Sequence, residues 1–254
     1  VSISQEYYTE LKCKSRIHIP KGLDDDQPCT PEQIKELRSH VGTLSWLSKE
    51  TRVDLAGSTA ILMQCFPNPR VKDLKTCNRI LKDALSHKDI LIRLPPIDPT
   101  KLSILVTSDA AWGNAVDEKG NMEKSQAGFI VMACDKEILQ GKECAFGILG
   151  WKSHTLKRRT VSTLGAETQA IVESSAVASW YRYLLVELMY PKELPKLNPD
   201  WEDSLKTIEF GLVTDAKSVF DALSRPSAIN ASDKRTCIDL RSEERRVGKE
   251  CRSR

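Results

Sequence analysis

The proline cluster Pro95-Pro96-Ile97-Asp98-Pro99 divides the 254-residue chain into two stretches with different hydrophobic periods. Proline fixes φ and lacks an N–H, so neither a helix nor a central strand runs through such a segment. Before it, apolar residues recur at helical spacing. Thr30-Pro31-Glu32-Gln33 supplies an N-cap, a proline for the first helical position and a glutamine that closes a capping box. Ile34, Leu37, Val41, Leu44 and Leu47 then form one stripe. A second helix is predicted near Asp54 to Gln64, broken by Pro67 and Pro69. A third carries Leu74, Cys77, Leu81 and Leu85 on one face, and Asp89 to Leu94 reads as a short strand. Asp24-Asp25-Asp26 reads as a solvated turn.

After the prolines the pattern alternates. Ser103 to Trp112, Gln126 to Cys134 and Cys144 to Lys152 read as three strands, with Asp117 to Asn121 as a hairpin loop. Thr163 to Met189 reads as a helix that is apolar nearly all round and therefore largely buried. A fourth strand ends at Asp215. Ala216, Val219, Phe220 and Leu223 give a short amphipathic helix stopped by Pro226. Three strands, helix, strand, helix predicts a mixed α/β domain. Trp112, Trp151 and Trp180 are expected in its core.

Composition narrows the function only a little. No apolar run approaches membrane-spanning length, so no membrane partner is expected. The eight Cys contain no Cys-x-x-Cys pair and the four His are scattered, which argues against a zinc site. Without a signal pattern, reduced thiols in a cytoplasmic or nuclear protein are expected. The start, Val-Ser-Ile-Ser-Gln-Glu, reads as the beginning of a fragment. The formal charge of +3 comes from the last 14 residues, which hold six Lys/Arg and three Glu. The remainder has 32 basic and 32 acidic residues. Net charge thus gives no argument for nucleic-acid binding.

Four carboxylates stand where the predicted elements would gather them. Asp109 ends the strand Leu-Ser-Ile-Leu-Val-Thr-Ser-Asp, on the face of Ser103, Leu105 and Thr107. Glu167 opens the long helix, Asp215 ends the fourth strand, and Asp239 lies in Thr-Cys-Ile-Asp-Leu-Arg. Each has a plainer reading alone: a turn residue, a helix N-terminal charge, a cap, a solvated charge. Gathered carboxylates repel one another, and chains tolerate them mainly where cations bind. Lys152, His154, Lys157, Arg158 and Arg159 form a basic stretch just before Glu167. It reads either as a set of phosphate contacts or as a solvated loop.

These residues also carry a resemblance. The motifs Thr107-Ser108-Asp109-Ala110-Ala111-Trp112, Gly150-Trp151-Lys152-Ser153, Ser162-Thr163-x-x-Ala166-Glu167 and Val213-Thr214-Asp215-Ala216-Lys217-Ser218 occur in the order of the ribonuclease H domain of Ty1/copia-type retrotransposon polyproteins. Ile3-Ser4-Gln5, Leu37-Arg38-Ser39-His40-Val41-Gly42-Thr43-Leu44-Ser45-Trp46-Leu47 and Thr51-Arg52-Val53-Asp54-Leu55 resemble the segment that precedes it. The resemblance implies a thumb/connection-like segment over 1–100 and a ribonuclease H-like mixed sheet with helices over 101–240. It implies metal-dependent hydrolysis of the RNA strand of RNA–DNA hybrids. Two Mg²⁺ ions would be held by Asp109, Glu167, Asp215 and Asp239, with Asp109 bridging. The implied partners are the hybrid and an upstream reverse transcriptase domain of the same polyprotein.

The sequence departs from that family in three places. The family's last Asp usually follows His-Ile, whereas Asp239 follows Cys237-Ile238. The family's C-terminal strand is not found, which would leave Ile208 to Thr214 with an unpaired edge. Residues 241–254 look like a translated adapter oligonucleotide and are expected to be unrelated to the fold. These departures leave a second expectation open: an inactive remnant that binds nucleic acid or only packs against a polymerase.

Overall fold

The computed structural model describes residues 1–116, 122–189, 207–224 and 235–241. They divide into two compact units. The first comprises Val1–Arg93 with Asn114–Lys124 and Lys152–Thr155; the second comprises Leu94–Gly113, Ser125–Trp151 and Leu156–Arg254. The proline cluster thus falls just inside the second unit. The expected hairpin loop 117–121 and the tail 242–254 lie outside the described residues.

In the first unit a short strand β1 (Ser2–Ser4) pairs antiparallel with β2 (Leu91–Arg93), Ile3 opposite Ile92. Between them run α1 (Glu6–Lys12), α2 (Pro31–Glu50), α3 (Ala56–Leu62) and α4 (Val71–Ser86). The start of α2 follows its sequence signal. Thr30 Oγ1 accepts from the Gln33 N–H at 3.3 Å, and Gln33 Oε1 accepts from the Thr30 N–H at 2.9 Å. Leu37, Val41, Leu44 and Leu47 of α2 pack with Leu74, Cys77 and Leu81 of α4 in one core. Arg52 is buried at 1% exposure, its guanidinium donating to both Asp54 oxygens (2.9 and 2.7 Å) and to the Ala84 carbonyl at 2.9 Å. Asp25 and Asp26 stay exposed and pair with Lys75 and Lys72.

The second unit carries a mixed four-stranded sheet. Its strands are β3 (Leu102–Val116), β4 (Met122–Asp135), β5 (Phe146–Thr155) and β6 (Glu209–Val213), in the order β5-β4-β3-β6. β3 and β6 are parallel, with Leu105 opposite Gly211 and Thr107 opposite Val213. Parallel neighbours need a crossover, and α5 (Thr163–Met189) lies between β5 and β6 in the chain. Ile104 and Val106 of β3 pack with Phe129 and Val131 of β4 and with Ala178 and Val186 of α5. A Cβ on Gly211 would crowd the Cδ tips of Leu139 and Leu105, so those leucines lie over the strand where it has no side chain and would have to shift to admit one. α6 (Lys217–Ser224) and a helix α7 at 235–241 complete the described elements. Val219 and Ala222 of α6, Leu240 of α7 and Ile171 of α5 share a core cluster.

Two expectations about the core need correction. Trp112 is 52% exposed and Trp180 59% exposed, while Trp151 is half-buried. Trp112 lies beyond the buried stretch of β3, where its indole N–H donates to the Thr160 carbonyl at 3.2 Å. α5 buries Ala170, Ile171, Ser174, Ala178 and Val186, but Trp180 and Leu188 point away from that core. Apolar content all round a helix therefore does not bury it all round; small residues mark the packed side, and Trp180 rests edge-on against Tyr181 instead. Among the described residues no helix is long and apolar enough to cross a membrane.

Candidate metal centre

Strand parity sets the first carboxylate. Ile104, Val106, Ser108 and Ala110 are buried on one face of β3 and Asp109 is exposed on the other; the strand runs on to Val116 instead of ending at Asp109 as expected. The second comes from the start of α5. Ser162 holds this helix end: its Oγ accepts from the Gly165 N–H at 3.1 Å and its carbonyl from the Ala166 N–H at 3.1 Å. Glu167 follows one turn into the helix and is 5% exposed. The third lies just past the end of β6. There Thr214 Oγ1 accepts from the Ala216 N–H at 3.1 Å, and the Asp215 carbonyl accepts from the Lys217 N–H at 2.9 Å. Thr214, rather than Asp215, supplies the side-chain oxygen that turns the chain into α6.

One carboxylate oxygen from each of Asp109, Glu167 and Asp215 lies within 4.8 Å of the other two. At such a separation two ionised carboxylates repel by roughly 3 kcal/mol for an effective dielectric near 20. Burial first, then the Asp109 carboxylate, pushes the Glu167 carboxyl up to about 7. Asp215 adds to the shift and a hydrogen bond from the Ala110 N–H opposes it. Glu167 Oε2 is buried with no hydrogen-bond partner. A buried acceptor left unpaired is normally destabilising. A hard cation bound through oxygen would relieve both the repulsion and the orphaned acceptor. The three residues thus fit a metal ion by donor type, by convergence and by their unmet demand.

Asp239 is not in this group. It sits on α7, where its Oδ2 accepts from Arg158 Nη2 at 2.7 Å. The helix itself docks beside the start of α5: a Cβ on Gly165 would come 3.3 Å from Thr236 Oγ1, and Leu240 is buried. Lys152 and His154 lie on β5, in the portion that belongs to the first unit. Lys157, Arg158 and Arg159 lie in the connection from β5 to α5, in the second. Lys157 and Arg159 are exposed, and Arg158 is taken up by Asp239. The sequence reading misses that ion pair. Its partners are 81 positions apart and neither belongs to a periodic pattern that would reveal it. The Ser162 cap is also absent from that reading, although a serine just before a helical run is a usable signal.

The fold and site together define a mixed α/β domain presenting three carboxylates that could hold a metal ion. No family model matches the chain, and no curated protein matches it.

Proposed function

We propose that this chain is the ribonuclease H portion of a Ty1/copia-type retrotransposon polyprotein, a Mg²⁺-dependent endonuclease that hydrolyses the RNA strand of RNA–DNA hybrids. The observation that carries this reading is the convergence of Asp109, Glu167 and Asp215 from a central strand, a crossover helix and the parallel neighbouring strand, with an orphaned oxygen on Glu167. The sheet order, with β3 between β4 and β6, suits a ribonuclease H-like fold. On the same reading, residues before the proline cluster form the connection to an upstream reverse transcriptase domain.

Asp109, Glu167 and Asp215 are the residues that would hold metal, with Asp239 as the fourth member once released from Arg158. Two Mg²⁺ ions supply, when bound, an activated water and charge stabilisation of the leaving oxygen in an in-line phosphodiester displacement. The protein's own part is positioning. Asp109 is fixed by strand register, Glu167 by the capped start of α5, and Asp215 by the Thr214 turn. The basic residues Lys157 and Arg159 are exposed beside the start of α5 in sequence, suited to backbone phosphates rather than to base edges. Preference for the hybrid would rest on A-like duplex shape and the 2′-OH.

The pairing of Asp239 with Arg158 favours a second reading, in which the domain binds nucleic acid without cutting it. A labelled RNA–DNA hybrid incubated with Mg²⁺, and in parallel with EDTA, separates the two. Cleavage with Mg²⁺ that is lost in EDTA and in Asp109→Asn supports the nuclease. Binding without cleavage under all conditions supports the second reading.

A further inference from the structure

We propose that Arg158 is a positioning residue shared between Asp239 and substrate: its guanidinium masks Asp239 in the free protein and is handed to a backbone phosphate when nucleic acid binds, releasing the carboxylate to the metal-holding set. This inference rests on the nuclease reading of the same site.

Three observations carry it. First, the pair is direct but uses one donor, Nη2 to Oδ2 at 2.7 Å. The other guanidinium donors have no partner among the described residues, so Arg158 keeps capacity for a planar anion such as phosphate. Second, Arg158 and Asp239 side chains are 41% and 21% exposed. A pair this open to water is weak, and competition alters the affinity of whatever displaces it by only about two- to fivefold. Breaking it on binding is therefore easy. Third, α7 is anchored independently of the ion pair, through Leu240 in the shared cluster and Thr236 against Gly165. The helix that carries Asp239 thus stays docked beside the start of α5 whether or not Arg158 holds the carboxylate.

Masking by direct pairing differs from simple charge repulsion in a way that a double-mutant cycle exposes. Two titrations suffice on the whole chain: Mn²⁺ by calorimetry without nucleic acid, and a fluorescein-labelled RNA–DNA hybrid by anisotropy in EDTA. In the metal titration Arg158→Gln is expected to tighten Mn²⁺ binding about two- to fivefold, and the gain should vanish in an Asp239→Asn background. In the metal-free hybrid titration Asp239→Asn is expected to tighten binding by a similar factor, and Arg158→Gln should abolish that gain. Equal effects in both backgrounds would mean that the two charges act separately on cation and phosphate, and would overturn the handover. No effect of Arg158→Gln in either titration would overturn it too. If Mn²⁺ binds, and Asp109→Asn abolishes binding, while the cycles show no coupling, the handover fails and the metal centre stands. If no variant binds Mn²⁺ at all, both fail. Both residues are at least partly exposed, and far-ultraviolet circular dichroism of each variant confirms that folding is intact before the titrations are compared.

Discussion

Asp109 and Glu167 bring carboxylate oxygens within 4.8 Å of each other, one carboxylate exposed midway along β3 and the other buried in a helix. The two environments divide the cost of the approach. Asp109 is shielded by water, whereas Glu167 bears the desolvation and its Oε2 has no partner.

Asp109→Asn is expected to remove nearly all hybrid cleavage, because it deletes charge from the group that all three elements face. Its effect on Mn²⁺ affinity should exceed the roughly 10- to 100-fold typical of losing a residue that only orients a ligand. Calorimetry and a cleavage assay on the same preparation check this. Retention of full activity would remove Asp109 from the site.

The pH dependence of the metal-free protein follows from Glu167. Its carboxyl is raised from 4.5 to about 7 in the folded state. The folded chain therefore holds this proton more tightly than the unfolded chain does. Stability from this group is full below about pH 4.5 and is lost as pH rises to about 7, by at most about 3 kcal/mol. In EDTA, the melting temperature should be lower at pH 8 than at pH 5.5 as far as this group is concerned. Glu167→Gln should flatten that difference, and millimolar Mg²⁺ or Mn²⁺ should raise the melt at pH 8 in the parent chain only. An identical pH profile in parent and variant would show that Glu167 does not bear the strain.

Lys157 and Arg159 are exposed in the connection to α5. If they touch backbone phosphates, replacing both with Ala should weaken hybrid binding and lower the slope of log K against log salt by roughly 0.9 for each phosphate no longer neutralised. Anisotropy titrations at several salt concentrations measure this. A parallel shift with an unchanged slope would identify the loop as merely solvated.

Asp54→Ala leaves the guanidinium of Arg52 buried with only the Ala84 carbonyl as acceptor. Asp54 is itself partly exposed, so water will replace some of the missing pairing. A destabilisation of about 1–3 kcal/mol is expected. Urea unfolding of the purified variant gives the value; a change too small to separate from the parent chain would mean the pair is dispensable.

The sequence reveals those elements whose residues repeat. α2 is legible because its cap, proline, glutamine and stripe all agree, and α5 because apolar residues recur on every side of the stretch from Thr163 to Met189 with no proline to break it. Asp109, Glu167 and Asp215 are legible because each interrupts or borders such a pattern, Asp109 within β3, Glu167 near the start of α5 and Asp215 just past β6. The rest depends on pairs that no period encodes. β1 is three residues long and is defined by its partner β2, which lies at the far end of the first unit. The ion pair of Asp239 with Arg158 is likewise a matter of where α7 docks. Trp112 and Trp180 show the opposite limit: large apolar side chains invite a core assignment, yet a tryptophan with a partner for its N–H or an aromatic neighbour sits stably at the surface.

Gly211 works as a gauge for the whole centre. Leucine tips from two elements close over its α-carbon, and its neighbours in β6 are Phe210 and Leu212. Sliding the strand by one position would press one of those bulky side chains against the leucine tips, which would have to shift, and would also reverse its faces. Both effects favour the observed alignment of β6 against β3. Asp215, a few residues further on, inherits its reach from that alignment. The distance between the carboxylates thus depends in part on a residue that carries no side chain and takes no part in the chemistry.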